Sequence, residues 1–167
     1  QAVVNARIQS SLSKHLVEGF GAGFFITPNG YIITNEHVVE DAQTVLVRSK
    51  DALSKAKVIK LDADEDLCLL KIDCPAHPCV AINFSPVRIG QDVFTLGFPS
   101  PEDLGFSIKL TKGCVSAISG ERDAPRFLQL DATIQGGNSG GPLFCKDSGN
   151  LLGINTAGMD AVEFQNV

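Results

Sequence analysis

Gly136-Gly137-Asn138-Ser139-Gly140-Gly141-Pro142 carries the strongest chemical signal in the chain, with four glycines around one serine between two apolar runs. Glycine permits positive φ and close backbone approach, so such a loop can turn successive N–H groups toward one point. Donors converging beside a hydroxyl are what acyl transfer needs, because they stabilise the oxyanion formed when a serine attacks a carbonyl. Composition alone also allows a flexible Gly/Ser linker here.

A serine hydroxyl is a weak nucleophile until a base takes its proton, and histidine is the usual base near neutral pH. Gly137-x-Ser139-x-Gly141 satisfies the nucleophile elbow of α/β-hydrolases, but that fold needs its histidine downstream, and no histidine follows Ser139. Of the chain's 3 histidines, His15 lies in a polar stretch and His77 between prolines, and both read as exposed loop residues. His37 stands in Ile33-Thr34-Asn35-Glu36-His37-Val38-Val39, where a buried strand breaks into a helical turn over Glu36–Asp41 that can hold an imidazole rigidly. The base in turn needs an orienting carboxylate. Asp66 heads the apolar run Leu67-Cys68-Leu69-Leu70, and a charge where solvent meets core must find a partner. Asp62 and Asp64 lie close, and period-two alternation would set all three on one face. The start of a strand favours Asp66, with Asp64 the alternative.

Those side chains need a scaffold. Short apolar runs cut by turn residues recur along the chain, the pattern of an all-β protein rather than of alternating strands and helices. The runs are Val3–Gln9, Ala22–Thr27, Tyr31–Thr34, Gln43–Arg48, Ala56–Leu61 and Leu67–Ile72, then Val93–Gly97, Ile108–Ile118, Phe127–Leu130, Pro142–Cys145 and Leu151–Thr156. Pro28-Asn29-Gly30 and Ser148-Gly149-Asn150 read as tight turns between strand pairs. Asp73–Cys79, with two prolines and no periodicity, reads as a linker between two β-barrel lobes, residues 1–79 and 80–167. Six strands against five leave the second barrel short of its last strand, with Val167 standing where it would begin. The N-terminus has neither an initiator Met nor the basic-then-apolar plan of a signal peptide and reads as processed or trimmed.

The 167 residues, 44% hydrophobic and 20% charged, suit one folded domain and exclude a disordered tail or a fibre. A formal net charge of -5 without a basic run argues against a nucleic-acid backbone or an anionic membrane surface as partner. No apolar stretch is long enough to insert in a bilayer. Among the 5 cysteines, most read as small buried hydrophobes. Cys74-x-x-His77-x-Cys79 does not match zinc spacing, and a Cys74–Cys79 disulfide is the alternative to a plain loop in an exported protein.

Thr34-Asn35-Glu36-His37-Val38-Val39, Asp66-Leu67-Cys68-Leu69 and Gly137-Asn138-Ser139-Gly140-Gly141-Pro142, in that order, resemble the three catalytic blocks of chymotrypsin-fold serine proteases, above all the HtrA/Deg branch. Gly21-Ala22-Gly23-Phe24, Thr95-Leu96-Gly97-Phe98-Pro99 and Gly153-Ile154-Asn155-Thr156 agree, so the likeness spans nearly the whole chain. The resemblance implies two six-stranded antiparallel β-barrels with a triad of His37, Asp66 and Ser139 between them. It implies an oxyanion hole at Gly137, Asn138 and Ser139, whose donors would be the N–H groups of Gly137 and Ser139. It implies a specificity pocket walled by Thr133, Ile134 and Gln135 and by Ile154, Asn155 and Thr156.

Further implications are polypeptide substrates, no metal or cofactor, and an extracytoplasmic setting, periplasmic or secreted. Thr133 stands six before the serine, where relatives that cut after Arg or Lys carry an acid, so a small or medium aliphatic residue is expected at the cleavage site. Asn138 replaces the acid that digestive relatives use in zymogen activation, and Cys68 replaces a small residue. The branch often forms trimers and carries PDZ domains; no stretch of this chain resembles a PDZ domain, and no matching residues carry the trimer over. The competing expectation is a silent protease-fold module that binds peptides.

Overall fold

Strand Thr44–Ser49 alternates half-buried and buried positions along Thr-Val-Leu-Val-Arg-Ser, the period of two that a barrel wall imposes. The same rule builds most of the chain in this computed structural model, which describes residues 3–9, 19–49, 52–82, 86–120 and 123–156. The strands are β1 (Val3–Gln9), β2 (Phe20–Phe25), β3 (Tyr31–Thr34), β4 (Thr44–Ser49), β5 (Ala52–Asp62) and β6 (Leu67–Lys71). They close an antiparallel barrel in the order β1-β2-β3-β6-β5-β4. Strands β7 (Asp92–Gly97), β8 (Lys109–Ala117), β9 (Gln129–Leu130), β10 (Pro142–Cys145) and β11 (Leu151–Ile154) form a second antiparallel sheet, ordered β11-β10-β7-β8-β9. The all-β expectation holds, and the second sheet has five strands among the described residues. One short helix, α1 (Pro101–Leu104), was not anticipated; it follows Ser100, which adopts a left-handed conformation with φ 43°.

Strand β2 decides how the lobes meet. Neighbouring side chains of a strand point to opposite faces. Phe25 enters the first barrel's core with Ile32, Val47 and Leu70, whereas Ala22 and Phe24 pack outward against Val80, Phe98, Phe144 and Leu151. Fully burying a phenylalanine is worth roughly 1.5–3 kcal/mol, so Phe24 and Phe25 tie one strand to two cores. A third cluster, Val93, Val115, Leu143, Cys145 and Leu152, fills the second lobe.

The linker is docked rather than loose. His77 donates its N–H to the Pro28 carbonyl at 3.1 Å, Val80 donates to Phe25 at 2.7 Å, and the His77 ring stacks on Phe25 at 4.8 Å. His77 is therefore half-buried, not the exposed loop residue its prolines suggest. Both anticipated turns form, with Gly30 at φ 98° and Gly149 at φ 69°. All five cysteines are free thiols: Cys68 and Cys145 are buried as expected, Cys79 is exposed, and Cys74 and Cys79 do not pair.

Candidate active site

The chain leaves β3 at Thr34 and enters the anticipated helical turn, in which Glu40 and Val39 both donate to the Glu36 carbonyl at 2.9 Å. Val38 and Val39 are buried in the first barrel's core and anchor that turn, leaving His37 at the rim with 35% of its side chain exposed. Asp66 ends the turn between β5 and β6 with φ 51°, a left-handed conformation costing a non-glycine residue roughly 1–2 kcal/mol. The buried Asn35 secures it by donating Nδ2 to the Asp66 carbonyl at 2.9 Å.

The Asp66 carboxylate collects three donors. His37 gives its backbone N–H to Oδ1 at 3.0 Å, and its Nδ1 lies 2.9 Å from Oδ1 and 2.8 Å from Oδ2. Thr156 gives its hydroxyl to Oδ2 at 2.6 Å. Burial by itself would raise the Asp66 pKa, but the His37 N–H, the Thr156 hydroxyl and the His37 ring together hold it below the usual aspartate value. With Nδ1–H directed at the carboxylate, Nε2 keeps the free lone pair. The alternative carboxylates go elsewhere. Asp64 is exposed, and Asp62 accepts the Glu65 N–H at 3.2 Å. A turn over 63–66 breaks the alternation that would have set the three on one face.

The serine loop is pinned from both lobes. Ala22 of β2 donates its N–H to the Ser139 carbonyl at 2.7 Å. Gly140, at φ 82°, sits so close that a Cβ there would strike the Ala22 carbonyl and the Thr34 hydroxyl. From the second lobe, Ser100 donates to Gly136 at 3.0 Å and Phe98 to Gly137 at 3.3 Å. Behind the loop, Asn155 accepts the Gly140 N–H and donates to Gly141, both at 2.8 Å. Its side chain donates to the Thr95 hydroxyl, which passes on to the Pro142 carbonyl at 3.0 Å.

Among the described residues, the N–H groups of Gly137 and Ser139 have no protein acceptor, whereas that of Asn138 is spent on the Gln135 carbonyl at 3.0 Å. Asn138 is thus not an available donor, and its side chain is buried against Gly97. No hydrogen bond joins Ser139 to His37 among the described residues.

The expected specificity residues divide. Thr133 and Gln135 are exposed and Ile134 is half-buried, all available to a ligand. Ile154 packs on the cluster between the lobes, Asn155 braces the loop and Thr156 holds Asp66, and Ile154 and Thr156 also border the cavity between the lobes. His15 lies outside the described residues. A cavity of about 370 Å³, walled largely by apolar side chains such as Phe24, Ile33, Phe127 and Ile154, reaches Asp66 and Thr156 between the lobes. Sequence reasoning missed Thr95, Ala22 and Arg126. The first two act through buried or backbone contacts that leave no local pattern, and Arg126 is one exposed arginine among several.

Comparison with known proteins places this geometry. The family described as trypsin-like peptidase domain matches residues 21–154. A protein of Pseudomonas savastanoi named "Probable periplasmic serine endoprotease DegP-like" is 40% identical over 146 residues, covering 83% of this chain and 29% of its own length. A protein of the same name from Pseudomonas fluorescens is 42% identical with the same coverage. The crystal structure of the serine endoprotease from Yersinia pestis superposes with a TM-score of 0.78 at 37% identity, over 95% of this chain and 54% of that one. The chain thus spans 29% of the length of these curated relatives.

Proposed function

We propose that this chain, which belongs to the trypsin-like peptidase domain family, is the proteolytic core of an HtrA/DegP-type serine endoprotease. In this reading Ser139 attacks a peptide carbonyl, His37 Nε2 takes the hydroxyl proton and returns it to the leaving amine, and Asp66 holds the imidazole. The N–H groups of Gly137 and Ser139 receive the oxyanion, a term worth about 3–4 kcal/mol per donor. Water then repeats the sequence on the acyl-enzyme. The observation that carries the reading is the Asp66 carboxylate, which gathers the His37 ring and backbone from one lobe and Thr156 from the lobe that bears Ser139. The missing Ser139–His37 hydrogen bond fits a resting site, since such contacts commonly tighten only with substrate bound.

The two lobes divide at residues 79 and 80. The substrates are polypeptides, with a small or medium aliphatic residue at the cleavage site, a preference supported by Thr133 and by the half-buried Ile134. The names of the relatives support an extracytoplasmic, periplasmic setting. Labelling by a fluorophosphonate probe tests the chemistry: the protein labels and Ser139→Ala does not. Failure to label in the presence of cleavable unfolded protein and activating peptides would leave the peptide-binding module in its place. A cleavage profile dominated by Arg or Lys would overturn the specificity.

A further inference from the structure

The turn that carries Asp66 is reached from the second lobe at a point besides Thr156. Arg126, shortly before β9, donates Nη1 to the Asp64 carbonyl at 2.5 Å, a contact across 62 residues of chain. Its guanidinium lies over the Phe127 ring, 4.8 Å from the centroid, with the Glu65 carboxylate 3.7 Å away. Phe127 is itself held, half-buried and packed against Gly120, where a Cβ would collide with the Phe127 Cβ. A planar guanidinium stacked on a fixed ring is pre-oriented to donate along one direction.

We propose that Arg126 is a positioning residue, a strut from the second lobe that sets the turn presenting the Asp66 carboxylate to His37. This role rests on the Ser139-His37-Asp66 reading above. A non-glycine residue in the left-handed region persists only where its surroundings over-determine it, and Asp66 is such a residue. Within the turn itself the restraints are loose: Asp66 donates to the Ala63 carbonyl at 3.4 Å and Glu65 to the Asp62 carboxylate at 3.2 Å. The firm anchors are external. Asn35 holds the Asp66 carbonyl at 2.9 Å from the first barrel, and Arg126 holds the Asp64 carbonyl from across the lobes. Two anchored carbonyls, two residues apart, fix the tilt of the turn and hence the direction of the Asp66 side chain. Arg126, Phe127, Glu65 and Asp66 all border the cavity between the lobes, which leaves room for the turn to move when the strut is cut. The carbonyl bond, not the ion pair, is the working contact, because the Glu65 and Arg126 side chains are 54% and 50% exposed.

The test uses the full protein, with fluorophosphonate titration of active sites and steady-state cleavage of a fluorogenic peptide carrying an aliphatic residue at the cleavage site. Arg126→Ala lowers kcat about tenfold, as misplacement of a catalytic group does, while KM and the thermal midpoint stay near wild type. Arg126→Lys, which keeps one donor, recovers much of the loss, and Glu65→Gln matches wild type. Arg126→Ala with wild-type kcat overturns the strut, as does a loss in kcat that merely follows a drop in thermal midpoint. A Glu65→Gln loss equal to that of Arg126→Ala also overturns it. A wild-type protein that never labels removes the triad reading and this role together; labelled wild type with an unaffected Arg126→Ala removes the strut alone.

Discussion

Thr156 donates its hydroxyl to Asp66 at 2.6 Å across 90 residues of chain, so the carboxylate that orients His37 is held from both lobes. Replacing Thr156 with valine removes that donor at nearly constant volume. A hydrogen bond to a charged group is worth about 1.5–3 kcal/mol, and the Asp66 side chain is 27% exposed, which reduces the effect. Thr156→Val is expected to lower kcat/KM about 3- to 10-fold, and Thr156→Ser to restore it, as measured on one peptide substrate.

Asp66→Asn keeps the shape and loses the charge. The amide can no longer secure the Nδ1–H tautomer of His37, and kcat is expected to fall about 10⁴-fold. Circular dichroism should report an unchanged fold; a loss of β signal would mean that Asp66 acts through stability instead.

Gly140 combines a positive φ with a blocked Cβ, whereas Gly90 has φ 78° and open space around it. Gly90→Ala therefore carries backbone strain alone, about 1 kcal/mol. Gly140→Ala adds a collision with the Ala22 carbonyl and must displace Ser139 from β2. Chemical denaturation should show the larger loss for Gly140→Ala, together with loss of probe labelling; equal losses would contradict the packing described here.

Acid stability follows from the lowered Asp66 pKa. A carboxyl whose folded pKa lies below its unfolded value stabilises the fold above the unfolded value, and the stabilisation disappears as pH falls through the folded one. Wild type should therefore exceed Asp66→Asn in stability at pH 6, and the gap should close below the usual aspartate value of 3.8. A gap that persists unchanged at pH 2 would exclude this linkage.

Thiol accessibility separates the cysteines. Burial pushes the Cys68 thiol up to about 11, so it should resist alkylation at pH 8 until the barrel unfolds. Cys79 is exposed and should react at once. All five thiols are expected to titrate in denaturant without reductant; a count of three would restore the Cys74–Cys79 disulfide.

Strand periods, turn glycines and the residue types at His37, Asp66 and Ser139 were legible because each is a local matter. Alternation at Thr44–Ser49, a left-handed turn at Gly149 and a glycine-rich loop around Ser139 all follow from a few neighbouring residues. The contacts of Ile154, Asn155 and Thr156 were not legible for the opposite reason: each depends on β7, on the first barrel or on Asp66, all remote in sequence. His77 was misread because its partner, Phe25, lies far upstream.

The sequence by itself determined an all-β chain, the order of its chemical groups and the glycines that let the serine loop turn. Only the tertiary structure put the Asp66 carboxylate against the His37 ring, spent the Asn138 N–H on Gln135, and brought Arg126 and Thr156 to the turn of the other lobe. Periodicity records which face of a strand is buried, but not what meets it. A hydrogen bond between lobes exists only once both barrels have packed through Phe24 and its neighbours.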